Sequence, residues 1–551
     1  MTATIHPSEV AAAPIARRPA SDTLAGTGTM VRLVVRRNRV RLAVWWAVLV
    51  GLFAYVMVYY KEIFTTQAAL DDFAAVSDIP SIKAITGLAA APNTLGGAVW
   101  TKIWMTSALA LALGVVFLVT RNGRADEELG RTELLRSRML GLHAGSVASW
   151  TVNAALSVAV GVGIALVSAA GGLDPAGSGI TGSLVLGASM AGVGLVAIGV
   201  GALAGQVTST SRAANGLGSA VLGLFYLMRM VGDLGDGRLT WASPIGWGQQ
   251  MQPWGANRWW PLALMLLLTA GLLAAALRLE ARRDLGAGLL PERAGAASAP
   301  QRYASSLGLG LRLQRGPIIG WTLTIVLSAS MFGSVVEAMT TLMADAGGSV
   351  AAIIRGTGID ALLSMLAMMI AMITTAFAIQ SATSLRGDEA SGIIEPQLAG
   401  AQSRTRWAVG RLLIPVVGSA LLLAIGGGGM GAAYGSIVAD PGQIGRLALA
   451  ALAYWPAVMV FVGIAVALFG WLPRLAIPLS WGVLAAMWFV VLIGEALHLP
   501  GWLLDLLPFS ATPYTPYEPL AWAPLVVMTL TSAVLAWIGL ARFARRDVQP
   551  G

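Results

Sequence analysis

The sequence predicts an all-α integral membrane protein with twelve transmembrane helices, arranged as two parallel six-helix repeats with both termini in the cytoplasm. Three observations lead there. The 551-residue chain is 56% hydrophobic and 11% charged, with mean hydropathy +0.73, whereas soluble domains carry roughly 25% charged residues. Cutting it at charged residues leaves twelve long uncharged stretches. A charged phrase, R-x-D-E-x-x-G-x-x-E, occurs twice, at Arg124–Glu133 and Arg386–Glu395, each time after one apolar stretch and before the next.

The stretches run 42–60, 103–120, 144–173, 175–211, 213–228 and 259–277 in the first half. The second half supplies 316–336, 361–385, 412–439, 447–473, 475–494 and 519–541. Most approach or exceed the roughly 20 residues that carry a helix across a bilayer core. Helices are required because backbone polar groups in lipid must pair internally, and no stretch shows the short alternation of a barrel strand. With both termini inside, 28 of the 36 Lys+Arg fall on the cytoplasmic side, 7 fall outside, and Arg229 lies within a helix. Acidic residues divide 13 inside and 14 outside, so the asymmetry belongs to positive charge, as insertion physics demands. The net charge of +9 is therefore a topology signal and not a nucleic-acid footprint.

The first apolar run starts at 42 behind an Arg-rich segment and reads as a retained helix, not a cleaved signal. Residues 1–28, rich in Ala, Pro, Thr and Ser, read as a disordered cytoplasmic tail. Residues 29–280 read as the first six-helix half, 281–305 as an Arg-rich cytoplasmic linker, and 306–551 as the second half. Basic segments ahead of each half suit the membrane interface. Cysteine is absent, which excludes disulfides and thiol chemistry; His6, His143 and His498 are too scattered for a metal cluster.

Duplication reaches beyond the repeated phrase. Arg39 and Trp45 correspond to Arg315 and Trp321 at a common offset, and Gly205–Arg212 corresponds to Gly470–Arg474. Six spans per repeat make both halves start on the same side, related by an axis along the membrane normal. Within the phrase, Arg124, Asp126, Glu127, Gly130 and Glu133 match Arg386, Asp388, Glu389, Gly392 and Glu395. Asp126, Gly130 and Glu133 lie at helical spacing, so one face could present the acids to basic residues of a partner, while glycine permits a turn or close approach. The same charges also fit a solvated network balancing Arg121, Arg131, Arg136 and Arg138.

The order of a basic interfacial helix, two spans, this charged segment and four more spans resembles the permease domain of ABC-2-type (type V) exporters. The stretches "GRTELLRSRMLG" and "GIIEPQLAGAQSRTR" are similar to that family's G-T-L-E-x-L-x-x-x-P-x-x-R pattern. Two such domains in one chain resemble tetronasin-resistance and polyketide-antibiotic exporter permeases, over nearly the whole length from about residue 30. The first copy departs from the pattern, with Ser137-Arg138-Met139 where the family has its proline. The resemblance implies that the repeated phrases contact an ATPase subunit, two copies per chain, and that cargo moves by alternating access.

No G-x-x-x-x-G-K-[S/T] occurs, so the chain has no phosphate-cradling loop of its own; it is read as a transport subunit and not an enzyme, with ATP and Mg on the partner subunits. The resemblance further implies that the second, fifth, eighth and eleventh spans line the cargo path. On those spans Met365, Met368, Met369 and Met372 form a flexible apolar stripe, and Trp104, Trp481 and Trp488 add aromatic surface. Core packing and interface anchoring fit the same residues. The expected partners are membrane lipid and a hydrophobic or amphipathic compound, in a bacterial plasma membrane. Arg229 aligns beside Glu495 of the other half, which suggests an outer latch; simple helix-end charges would look alike. The Pro/Trp-rich segments 232–258 and 496–518 suit re-entrant caps or an aromatic belt. A proton-coupled secondary transporter shares the twelve-helix plan but calls for intramembrane carboxylates, which are nearly missing from the span centres.

Overall fold

Apolar stretches this long resolve into helices, and the described part of the chain is helical with no strand. The computed structural model describes residues 23–549 apart from 79, 89, 137–139, 175–178, 290–297, 299, 346–357, 401 and 494–506. The chain divides into two compact units, Met1–Ala294 and Gly295–Gly551. In the first unit the elements are α1 (Thr27–Ile63), α2 (Gln67–Ser77), α3 (Pro80–Thr86), α4 (Leu95–Asn122), α5 (Arg124–Glu128) and α6 (Arg131–Arg136). They are followed by α7 (Ala144–Ala170), α8 (Thr181–Val207), α9 (Ser211–Leu234), α10 (Arg238–Trp241), α11 (Pro244–Gln249) and α12 (Trp260–Glu280).

The second unit follows a 3-10 turn at Gln301–Tyr303 and comprises α13 (Ser306–Asp345), α14 (Ile359–Ala390), α15 (Ile394–Leu398), α16 (Arg404–Val438) and α17 (Gly442–Leu452). It ends with α18 (Trp455–Trp471), α19 (Ala476–Ile493), α20 (Pro508–Ala511) and α21 (Trp522–Arg545). Among the described residues, ten helices are long and apolar enough to cross a membrane, and Ala476–Trp488 is a shorter apolar one. The protein is thus a multi-span membrane protein.

Two expectations about elements change. The basic segments ahead of each half are not separate helices: α1 is one helix of 37 residues and α13 one of 40. No proline or glycine falls between Val31 and Val50 to end the first, and Pro317 sits inside α13 without ending it. The predicted tail 1–28 lies mostly outside the described residues, and helix already begins at Thr27. The apolar stretch 447–473 is divided at Ala453-Tyr454, ahead of Trp455-Pro456, because proline restricts the residue before it and cannot donate to a preceding turn.

Burial follows one order in both units. The second and fourth spans are interior: the apolar windows of Leu95–Glu128 and Thr181–Val207 are 72% and 78% buried, those of Ile359–Ala390 and Gly442–Trp471 78% and 67%. The last spans, Trp260–Glu280 and Trp522–Arg545, are only 17% buried, which leaves their apolar faces to lipid. Close packing relies on small residues, since lipid gives apolar helices no hydrophobic reason to associate. A Cβ on Gly161 of α7 would stand 2.3 Å from the Gly187 carbonyl oxygen on α8, and one on Gly187 would stand 2.3 Å from that of Gly161.

Candidate functional site: the repeated charged segments

In the first unit the phrase starts where α4 ends, with Gly123 between α4 and the five-residue α5. The Arg124 side chain is fully buried and donates to the Glu127 carboxylate (Nη1–Oε2 2.7 Å), the Ser209 carbonyl (2.9 Å) and the Gly286 carbonyl (3.0 Å). Glu127 also receives a two-pronged contact from Arg283, at 2.6 and 2.8 Å. Asp126 faces Arg37 of α1 at 2.7 Å and Arg131 at 3.2 Å. The second phrase repeats this plan inside the last turn of α14. Arg386 donates to Glu389 (3.2 Å) and to the Gln549 carbonyl (2.7 Å). The fully buried Glu389 side chain is held by Arg546 at 2.5 and 2.9 Å and accepts the Gln549 backbone N–H at 2.9 Å. Asp388 pairs with Arg411 of α16 at 3.0 Å.

The arginines that close these clusters, Arg283 and Arg546, escape the sequence reading. Each lies in an Ala-Arg-Arg-Asp run just after the last span of its unit, Ala281–Asp284 and Ala544–Asp547. That second repeated phrase was the available signal. Each last span delivers its arginine to a carboxylate at the end of the second span, so the segment is tied to both the second and the last span of its unit. Charge-assisted, forked contacts of this kind are the strong class of ion pair.

Beyond the buried cluster the chain turns outward. Gly130 and Gly392 take φ of +67° and +71°, a left-handed geometry that glycine enters without steric cost. This turn breaks the single helical face expected for Asp126, Gly130 and Glu133: Asp126 is buried in the ion cluster, while Glu133 is exposed on α6. Glu395 is likewise exposed on α15, and neither glutamate has a side-chain partner among the described residues. Exposed apolar side chains accompany them: Leu129 and Leu134 at 62% and 74% exposure, and Ile393 at 38%. The phrase therefore has two parts, an inner clamp and an outer face. The residues of the missing proline, Ser137–Met139, lie outside the described residues.

The other candidates sit apart from this site. Trp104 is buried in the first unit, stacks on Trp100 at 4.4 Å and donates to Ser189 Oγ at 2.9 Å. Met372 is buried, and Met365, Met368 and Met369 are half-buried against the second unit's core. Trp488 packs partly on that core, and Trp481 is exposed. Arg229 is fully buried within its own unit, bonded to Asp233 (3.2 Å) and the carbonyls of Lys83 (3.4 Å) and Ile85 (3.3 Å), with its guanidinium 4.7 Å from the Tyr226 ring centre. Glu495 lies outside the described residues. Of the outer tryptophans, Trp254 is buried and bonded to Asp174 (3.1 Å), whereas Trp259 and Trp260 are exposed. Within the segment 496–518, residues 496–506 fall outside the described residues.

Among the described residues, ten helices long and apolar enough to span, duplicated in burial and carrying a matched polar segment in each unit, define a multi-span membrane protein built as two related units. Comparison with known proteins makes this particular. Residues 304–544 match the family described as the C-terminal domain of the multidrug efflux system permease Rv1217c. The multidrug efflux system permease protein Rv1217c of Mycobacterium tuberculosis is 34% identical over 533 residues, covering 95% of each chain. The chain belongs to this family of efflux permeases, and the exporter-permease resemblance drawn from its sequence holds.

Proposed function

We propose that this chain is the transmembrane subunit of an ATP-driven exporter, with twelve spans, both termini in the cytoplasm and its place in the bacterial plasma membrane. The span count adds α13 and α19 to the ten long apolar helices, at the seventh and eleventh places expected from the sequence. Two separate ATPase subunits dock on the outer faces beyond the clamps, at residues 129–136 and 391–398, and ATP and Mg act on those subunits and not on this chain. The observation that carries the reading is the twice-built outer face: a left-handed glycine, then an exposed glutamate on a short helix, set on a buried ion cluster. A rigid base under an exposed acid and apolar side chains is what a docking surface for a basic-rimmed partner requires. The relative is named a multidrug efflux permease, which supports a hydrophobic or amphipathic drug-like cargo. Taken unit by unit, the cargo-facing candidates are Trp104 in the first and the Met365–Met372 stripe with Trp481 and Trp488 in the second.

The test is charge reversal at the outer face. Glu133→Lys with Glu395→Lys is expected to abolish capture of the ATPase by the tagged chain and cargo-stimulated ATP hydrolysis, while the chain still folds, because neither glutamate is part of the ion cluster. If the double variant exports normally, the docking role is wrong. If export continues without any ATPase and follows the proton gradient, the chain is instead a secondary transporter.

A further inference from the structure

The two segments are fastened differently to the spans around them. In the first unit Glu128, the residue after the clamp glutamate, accepts the backbone N–H of Ser211 at 2.8 Å and the Ser211 hydroxyl at 2.5 Å. Ser211 opens α9, the fifth span, whose first turn is also capped by Thr210 Oγ receiving the Ala213 N–H at 3.2 Å. A carboxylate at this place satisfies an orphan N–H and meets the positive end of the helix dipole. The second unit offers neither half of that contact. Ala390 stands where Glu128 does, and Leu472-Pro473-Arg474-Leu475 precedes α19 with no Ser, Thr, Asp or Asn to cap it. Its segment is tied to the third span of its unit, through Asp388–Arg411 at 3.0 Å and Trp407 Nε1 donating to Gln397 Oε1 at 3.0 Å. The position matching Gln397 in the first unit is Leu135.

We propose that Glu128 is a positioning residue that transmits movement of the first segment directly to the fifth span, and that the second segment, which has no counterpart of Glu128 or Ser211, moves the third span of its unit instead. The two docking sites are then mechanically unequal: engagement at the first tilts α9, and engagement at the second acts through α16. This rests on the docking role proposed above for the segments, since a strut needs something to push it.

The full-length chain is assayed in cells with ethidium as the transported probe, together with capture of the ATPase by the tagged chain and hydrogen exchange at residues 211–214. For Glu128→Ala the expected result is faster exchange at 211–214 and a maximal ethidium efflux rate lowered roughly fivefold or more. The half-saturating ethidium concentration and ATPase capture stay at wild-type values. Glu128→Gln, whose amide oxygen still accepts the Ser211 N–H, falls between. A merely structural role would lower capture and efflux together. Unchanged efflux in Glu128→Ala overturns the proposal, as does loss of capture in that variant. Failure of the wild-type chain to capture an ATPase overturns the docking reading, whatever Glu128 does.

Discussion

The Glu389 carboxylate has no exposed surface, and Arg546 reaches it with both terminal nitrogens while lying 5.0 and 5.2 Å from the ring centres of Phe469 and Phe543. Removing one partner of such a pair leaves an uncompensated buried charge, at a cost of about 3–5 kcal/mol. Glu389→Ala is therefore expected to lower the unfolding midpoint of the detergent-solubilised chain sharply. Glu389→Met with Arg546→Leu is expected to recover part of the loss and not all of it, because the apolar pair needs no partner while Arg386, 3.2 Å from Glu389, still loses its carboxylate. A double variant as unstable as the single would show that the loss lies with the other partner, Arg386, and not with an uncompensated Arg546. Arg229 gives a parallel case. Its neighbour Asp233 already accepts from Thr240 (2.7 Å) and Gln249 (3.0 Å), so Arg229→Glu places two buried carboxylates together. The expected outcome is loss of folded chain on size-exclusion chromatography, not a selective transport defect. Sequence showed that Arg124, Glu127, Arg386 and Glu389 were a repeated set. It did not show which of 36 basic residues closes each cluster, because that depends on where the sixth span returns the chain.

The short elements α6 and α15 owe their direction to one dihedral each. A Cβ on Gly130 or Gly392 meets nothing within 4 Å, so substitution there acts through backbone strain and not through a clash. Left-handed geometry costs a non-glycine residue roughly 1–2 kcal/mol, and asparagine enters it more readily than alanine. Gly130→Ala and Gly392→Ala are thus expected to reduce ATPase capture while leaving the unfolding midpoint within a few degrees, and Gly→Asn at either site is expected to retain more capture than Gly→Ala. Equal capture by all variants would mean that the outer glutamates need no fixed direction. The spacing of Asp126, Gly130 and Glu133 was readable as one helical face because periodicity does not register a change of φ. The turn was legible only in the choice of glycine at both copies. Helix joins were misread for a related reason: a basic run such as Arg36-Arg37-Asn38-Arg39 suggests an interfacial break, yet nothing in it stops a helix, and α1 runs straight through.

Each unit keeps its second and fourth spans inside and its last span outward, so the duplication is one of folds and not only of phrases. The apolar stretches revealed nearly all of these helices, because lipid forces every long apolar segment into internal hydrogen bonding. The lateral order of the spans could not be read from them, since in lipid the buried and outward faces are both apolar. Orientation rests on arginine alone, which makes it testable with the chain as it stands, because it has no cysteine to remove. Single cysteines replacing Glu133 and Glu395 are expected to react with a membrane-impermeant maleimide only after the cells are opened. Asp236→Cys and Asp440→Cys, at exposed positions beyond the opposite ends of their spans, are expected to react in intact cells. Agreement between Glu133→Cys and Glu395→Cys is the decisive comparison. Both units then start on the same side, and one class of partner in one compartment can read both segments. Opposite reactivity would make the repeats inverted, and a cytoplasmic ATPase could then reach only one of the two.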